Sequence, residues 1–214
     1  MKALEIPEQI FLPPTQPGSS LGPITPRIAQ QTQLNRKVDV VLPASHDTGS
    51  AVLAVPAGSF AQAQPDWCYI SCGTWSLMGV ELMRPNLSDR CRGLNFTNEC
   101  GVAGTIRLLK NISGLWIVQQ CRDYWRRQGF DFGWTELQRL SQEAKSMVAI
   151  IDPDDPAFSA PDNMPEAIRQ YCQRTHQPVP ESEGQIVRCA MESLALRYRM
   201  VLDMLEELQD SRLS

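Results

Sequence analysis

The hydrophobic pattern along the chain changes period several times, and each change marks an element. Val38-Asp39-Val40-Val41-Leu42 is the first clear strand, buried in character. Gly49 to Val55 follows as a short helix of small residues, ended by Pro56 and Gly58. Trp67 to Ser71 and Trp75 to Val80 are two further strands, and Gly73-Thr74 between them suits a hairpin turn. Asn95 to Asn98 is a short strand inside the turn-rich stretch 83–101. Ile112, Leu115, Trp116 and Val118 then mark one face of a helix over 108–127. Trp134 to Lys145 is a second helix, with Leu137 and Leu140 at spacing three. A proline-broken loop from Asp152 leads to a third helix, Pro165 to Thr175. Ser182 and Gln185 form a capping box for a long fourth helix that runs to about Gln209. Its apolar positions include Leu194, Tyr198, Val201, Leu202 and Leu205.

Few strands, one hairpin and long helices give an α/β or α+β class, and periodicity goes no further. Residues 1–37 are rich in Pro, Gln and Thr and read as a surface connection, with a short helix starting at Thr25-Pro26. A chain that opens this way reads as the middle of a larger protein.

Composition narrows the choice of partners. The 214 residues are 43% hydrophobic, ample for a core of one domain or two small ones. Net charge is −4, with a pI near 5.3, so nucleic acid and anionic membrane are not expected partners. No apolar run is long enough to span a bilayer. The amino-terminal residues show no signal-peptide core, which predicts a cytoplasmic address. Seven cysteines stand at irregular spacing with only two histidines, His46 and His176, which argues against zinc. Most of the cysteines are expected to be small buried hydrophobes.

Three runs could carry chemistry. Ser45-His46-Asp47-Thr48 lies after a strand and before a helix, where open α/β sheets place ligands. An aspartate there can take a proton from a substrate hydroxyl. Taken alone, a helix cap by Asp47 or Thr48 is the plainer reading, and the two roles are compatible. Ser71-Cys72-Gly73-Thr74-Trp75-Ser76 offers backbone N–H groups and a hydroxyl to a phosphate, or is a plain hairpin turn. It is no P-loop, because Gly-x-x-x-x-Gly-Lys-Ser/Thr is absent. Asn95 to Glu99, with Lys110 to Trp116, supplies amides near a helix start, which either bind a sugar or nucleotide or serve turns and caps.

Together the runs are more specific. His-Asp-Thr-x-Ser-Ala-Val, Gly-Thr-Trp-Ser-Leu-Met-Gly, Asn-x-Thr-Asn-Glu and Leu-Lys-Asn-Ile-x-Gly-Leu-Trp stand in that order across residues 45–116. The chain thereby resembles the FGGY family of carbohydrate kinases, most closely its rhamnulokinase branch. The resemblance implies an α/β fold, a fragment of the actin-like (ribonuclease H-like) two-domain sugar-kinase fold. Residues 1–54 would be the end of the first kinase domain and 55–214 the front of the second. It implies ATP and Mg²⁺ as cofactors and phosphoryl transfer to a sugar hydroxyl, with L-rhamnulose giving L-rhamnulose 1-phosphate. Asp47 would be the general base. His46, Asp47, Thr48 and Asn111 would hold the sugar, and Thr74 and Gln119 the nucleotide, while the metal ligands stay unassigned. Cys172 and Cys189 would form a disulfide-competent pair, although a reducing cytoplasm works against the bond.

The sequence departs from the family pattern in places. Gly49 stands where Ala is expected and Cys100 where Gly is expected. The amino-terminal Asp-x-Gly-x-Thr/Ser phosphate loop and the Gly-rich adenosine motif after the long helix are absent. The remainder of a kinase chain is thus the implied partner, and the fragment alone is expected to show little or no kinase activity. Two other readings remain: an inactive truncated sugar- or nucleotide-binding module, and a kinase for another ketose such as fuculose or xylulose.

Overall fold

The computed structural model describes residues 4–13, 15–44, 46–59, 61 and 64–213, so Ser45 of the first run lies outside the described residues. Near the amino terminus, β1 (Ser20–Pro23) pairs antiparallel with β2 (Asp39–Val41), and α1 (Pro26–Thr32) lies between them. Thr25 caps α1 by accepting the Ile28 N–H, and Pro26 fills the first helical position, as its fixed φ allows. The strand over 38–42 was expected to be buried, and this is corrected. Val38, Val40 and Val41 are all exposed, because β2 has β1 as its one strand neighbour among the described residues.

Helix α2 (Asp47–Leu53) starts two residues earlier than its apolar pattern suggests. Asp47 and Thr48 therefore belong to its first turn. Beyond it, β3 (Tyr69–Cys72), β4 (Trp75–Leu82), β5 (Thr97–Cys100) and β6 (Ile106–Ser113) form an antiparallel sheet in the order β3-β4-β6-β5. Between β4 and β5, the short α3 (Asp89–Gly93) has no strong apolar stripe, but Ser88 caps it by accepting the Cys91 N–H. Asn95 then takes a left-handed turn (φ 57°), so β5 begins at Thr97 and not at Asn95.

The largest correction concerns residues 108–113, expected to open a helix over 108–127. They belong to β6, paired with β4 from Ile106↔Leu82 to Ser113↔Trp75. A central strand buried on both faces reads as a continuous apolar run, and Leu108, Leu109 and Ile112 imitate helical spacing. The helix starts only after Gly114, as α4 (Trp116–Arg127).

The sheet's two faces do different work because side chains alternate along each strand. Met78, Val80, Leu82, Leu108 and Ile112 pack against Val201 and Leu205 of the long helix α7 (Glu183–Gln209). Leu77, Leu109 and Tyr69 face Val52 of α2. A second core joins α4, α5 (Trp134–Glu143), α6 (Met164–Arg174) and the first half of α7, through Cys121, Leu137, Phe158, Ile168, Cys172 and Ile186. Emptying such a site, as in Phe158→Ala, costs about 3–5 kcal/mol. Helix α7 spans both cores, and its capping box is present as expected: Ser182 accepts the Gln185 N–H and Gln185 accepts the Ser182 N–H.

Candidate functional site

A cavity of about 610 Å³ opens between the first turn of α2 and the sheet. His46, Asp47 and Thr48 form one wall; Ser71, Cys72, Gly73, Thr74 and Trp75 of the hairpin form another. Leu77, Glu99 and Asn111 make the floor. Five of the six residues singled out for sugar or nucleotide thus converge from three distant stretches of sequence.

Each wall has its own support. The Asp47 carboxylate accepts its neighbour's N–H, that of Thr48, at 2.8 Å, so it serves the helix start. Its side chain is still 94% exposed and free to meet a substrate. A carboxylate in the first turn also suits the positive end of the helix. Thr48 is buried, its hydroxyl 3.5 Å from that of Ser71, which ties α2 to β3. His46 stands between two carboxylates, with Nε2 3.4 Å from Asp47 Oδ1 and Nδ1 3.6 Å from Glu99 Oε2.

The hairpin tip is held from behind. The Gly73 N–H donates to the Trp75 carbonyl at 2.9 Å, so this amide serves the turn, the plainer of the two readings of the run. The Gly73 and Thr74 carbonyls accept the N–H groups of Leu115 and Trp116 at 2.9 and 3.0 Å. The N–H groups of Leu115 and Trp116 at the start of α4 are therefore spent on fixing the hairpin. Asn111 reaches the cavity from the middle of β6, opposite Leu77 of β4. Gln119, one turn into α4, does not line the cavity.

The sequence singled out Glu99 only as the end of the run Asn95 to Glu99, with no role of its own, and Arg107 not at all. Yet Arg107 Nη2 bonds Glu99 Oε2 at 2.9 Å directly across the β5–β6 pair. The available signal was a lone arginine inside an apolar run, which demands a buried partner. Nearby, burial pushes the Tyr69 phenol well above its usual range, with the Arg107 charge partly offsetting.

Comparisons with known proteins place the chain in a family. Residues 68–214 match the C-terminal domain of the FGGY family of carbohydrate kinases. The chain belongs to the FGGY family. It is 46% identical to a rhamnulokinase of Bacteroides thetaiotaomicron over 97% of its length, and 38% identical to one of Enterococcus faecalis over 96%. It spans about 41% and 40% of those two proteins. Among solved structures, it is similar to a xylulose kinase of Rhodospirillum rubrum, with a TM-score of 0.60 at 15% identity, over 97% of this chain and 40% of that one. This FGGY chain thus has the sugar-kinase fold, in part.

Among the described residues no group of three or more His, Cys, Asp or Glu side chains is placed to hold an ion. Mg²⁺ commonly takes one or two carboxylates plus substrate phosphates and water. These residues do not form such a centre by themselves. No helix among the described residues is long and apolar enough to cross a membrane. Cys172 and Cys189 are both buried free thiols in the same core.

Proposed function

We propose that this chain is the part of an ATP-dependent sugar kinase that carries the catalytic base, acting in the cytoplasm on L-rhamnulose to give L-rhamnulose 1-phosphate. The observation that carries the reading is the convergence of His46, Asp47 and Thr48 with Thr74 and Asn111 on one cavity. Phosphoryl transfer asks little covalent chemistry of the protein, chiefly an oriented hydroxyl and a positioned phosphate chain. The exposed Asp47 carboxylate receives the proton of the sugar hydroxyl as its oxygen attacks the γ-phosphorus of ATP. His46, Thr48 and Asn111 bond the remaining sugar hydroxyls. Thr74, on the hairpin tip braced by α4, contacts the phosphates. Gln119 is kept as a nucleotide contact on the strength of family resemblance; it lies on the helix whose first N–H groups brace that tip. Mg²⁺, when bound with ATP, would neutralise phosphate charge. In this reading residues 1–54 close the first kinase domain and 55–214 open the second, and the rest of the chain supplies the remaining nucleotide and metal contacts.

An ADP-release assay on the full-length reading frame with Mg-ATP tests this. L-Rhamnulose is expected to turn over faster than L-fuculose or D-xylulose, and Asp47→Asn to lower kcat by about 10²–10⁴-fold. The isolated 214-residue chain is expected to show little or no turnover. Faster turnover of another ketose would reassign the sugar. An active Asp47→Asn enzyme would remove Asp47 as the base.

A further inference from the structure

Arg107 is charged, yet it is the largest fully buried side chain, only 2% exposed. Among the described residues its Nε and Nη1 have no hydrogen-bond partner. Burying a guanidinium so incompletely satisfied is costly, so what it holds in place is informative. Nη2 bonds Glu99 Oε2, the same oxygen that lies 3.6 Å from His46 Nδ1. The ring's other nitrogen lies 3.4 Å from Asp47 Oδ1. The helix rests on the same guanidinium: a Cβ built on Gly49 would meet Arg107 Nη2 at 3.2 Å and Cζ at 3.3 Å. Arg107 thereby sets the height of α2, and Glu99 faces the ring just before the proposed base.

We infer that Glu99 is a positioning residue, whose Arg107-anchored carboxylate orients the His46 ring and so aligns His46 and Asp47 toward the sugar hydroxyl. The inference rests on the reading of Asp47 as the base. A neutral imidazole carries one N–H, and the partner of one nitrogen decides where that proton sits. Glu99 Oε2, 3.6 Å away, is the acceptor that faces Nδ1, so a proton there is favoured once Asp47 turns to the substrate. The Nε2 lone pair is then open to a sugar hydroxyl next to the attacking one, whose own proton goes to Asp47. Without Glu99 the ring is free to turn, and the sugar loses one of its guides beside the base.

A cross-strand ion pair that only stabilised the sheet would behave differently, and a double-mutant cycle in the full-length chain separates the two. Glu99→Gln is expected to lower kcat for L-rhamnulose by about tenfold while the KM for ATP stays within about twofold. In a His46→Gln background the same change is expected to cost less than about threefold, because its effect passes through the ring. Equal losses in both backgrounds would overturn the inference. Long-range ¹H–¹⁵N spectra give a second readout that needs no turnover. The His46 signals, assigned by their loss in His46→Gln, are expected to show the Nδ1–H form and to shift toward a tautomer mixture in Glu99→Gln. Unchanged His46 signals would also overturn it. If the full-length protein phosphorylates none of the ketoses, the kinase reading fails, and the spectra alone decide the link between Glu99 and His46.

Discussion

Gly114 lies so close to Gly73 that a Cβ on Gly114 would sit 2.6 Å from the Gly73 carbonyl oxygen, and 2.7 and 2.8 Å from backbone atoms of Trp75 and Ser76. All three neighbours are backbone, so none can swing aside. Gly114→Ala is expected to push the hairpin tip toward the cavity and to lengthen the bonds from Leu115 and Trp116. Overpacking of this kind costs about 1–3 kcal/mol. Thermal unfolding should register the loss. In the full-length kinase proposed above, the KM for ATP should rise, because Thr74 rides on the displaced turn.

The other end of this joint is pinned by Asp154. One of its carboxylate oxygens accepts the Ser113 N–H at 2.8 Å, and the other accepts from Arg197 Nε at 2.9 Å. The loop, the end of β6 and the middle of α7 thus share one partly buried side chain. Asp154→Ala leaves an amide and a guanidinium unpaired together, and losing such charged bonds costs about 1.5–3 kcal/mol. Asp154→Asn should recover part of the loss, since it keeps an acceptor for Ser113. Urea unfolding of the three proteins checks the order.

These two joints show why the site was only partly legible in sequence. His46, Asp47 and Thr48 stand together in the chain, and Gly73-Thr74 is a turn by composition, so the pieces could be named. Asn111 was also singled out, but on the wrong element. Its strand is buried on both faces and therefore lacks the alternation that identifies an exposed one. Placing β6 opposite β4 is what brings Asn111 level with Leu77, and Glu99 opposite Arg107 depends on the same register. Register is a tertiary fact with no local signature here. The long helix was readable because Ser182 and Gln185 cap it locally and its apolar stripe repeats over many turns. The exposed β2 misled in the opposite direction: its valines carry strand propensity, but burial depends on what packs over them.

The thiols of Cys172 and Cys189 are expected to form a disulfide slowly at neutral pH and faster in alkali. Burial is the first cause in both, raising the Cys172 pKa and pushing that of Cys189 up to about 12. Only thiolate attacks, so the rate under a mild oxidant should climb about tenfold per pH unit while thiolate remains scarce. Peptide mapping without reductant should find the 172–189 link as the alkaline product. Iodoacetamide at pH 7.5 should label the exposed Cys72 and Cys100 well before the buried pair. Rapid labelling of Cys189 at neutral pH would contradict the burial argument.

Tyr198 carries the last prediction, because it couples the sheet to α7 beside the hairpin. Its hydroxyl lies 2.7 Å from that of Ser76, a fully buried residue, and 3.6 Å from Cys72 Sγ. Burial, the largest cause, pushes the phenol up to about 12. The unfolded chain ionises this phenol near its ordinary value of 10, so above that pH the unfolded state holds fewer protons than the folded state. The stability owed to the raised pKa is therefore fully present below pH 10 and is lost as pH climbs toward 12. Tyr198→Phe should unfold more easily at pH 8, by about 0.5–1.5 kcal/mol for the lost bond to Ser76, whose hydroxyl keeps Cys72 Sγ as a partner. It should also lose less stability than the parent between pH 10 and 12. Urea midpoints at pH 8 and pH 11 test both effects, and a parallel loss in the two proteins would show that ionisation of Tyr198 does not contribute to alkaline unfolding.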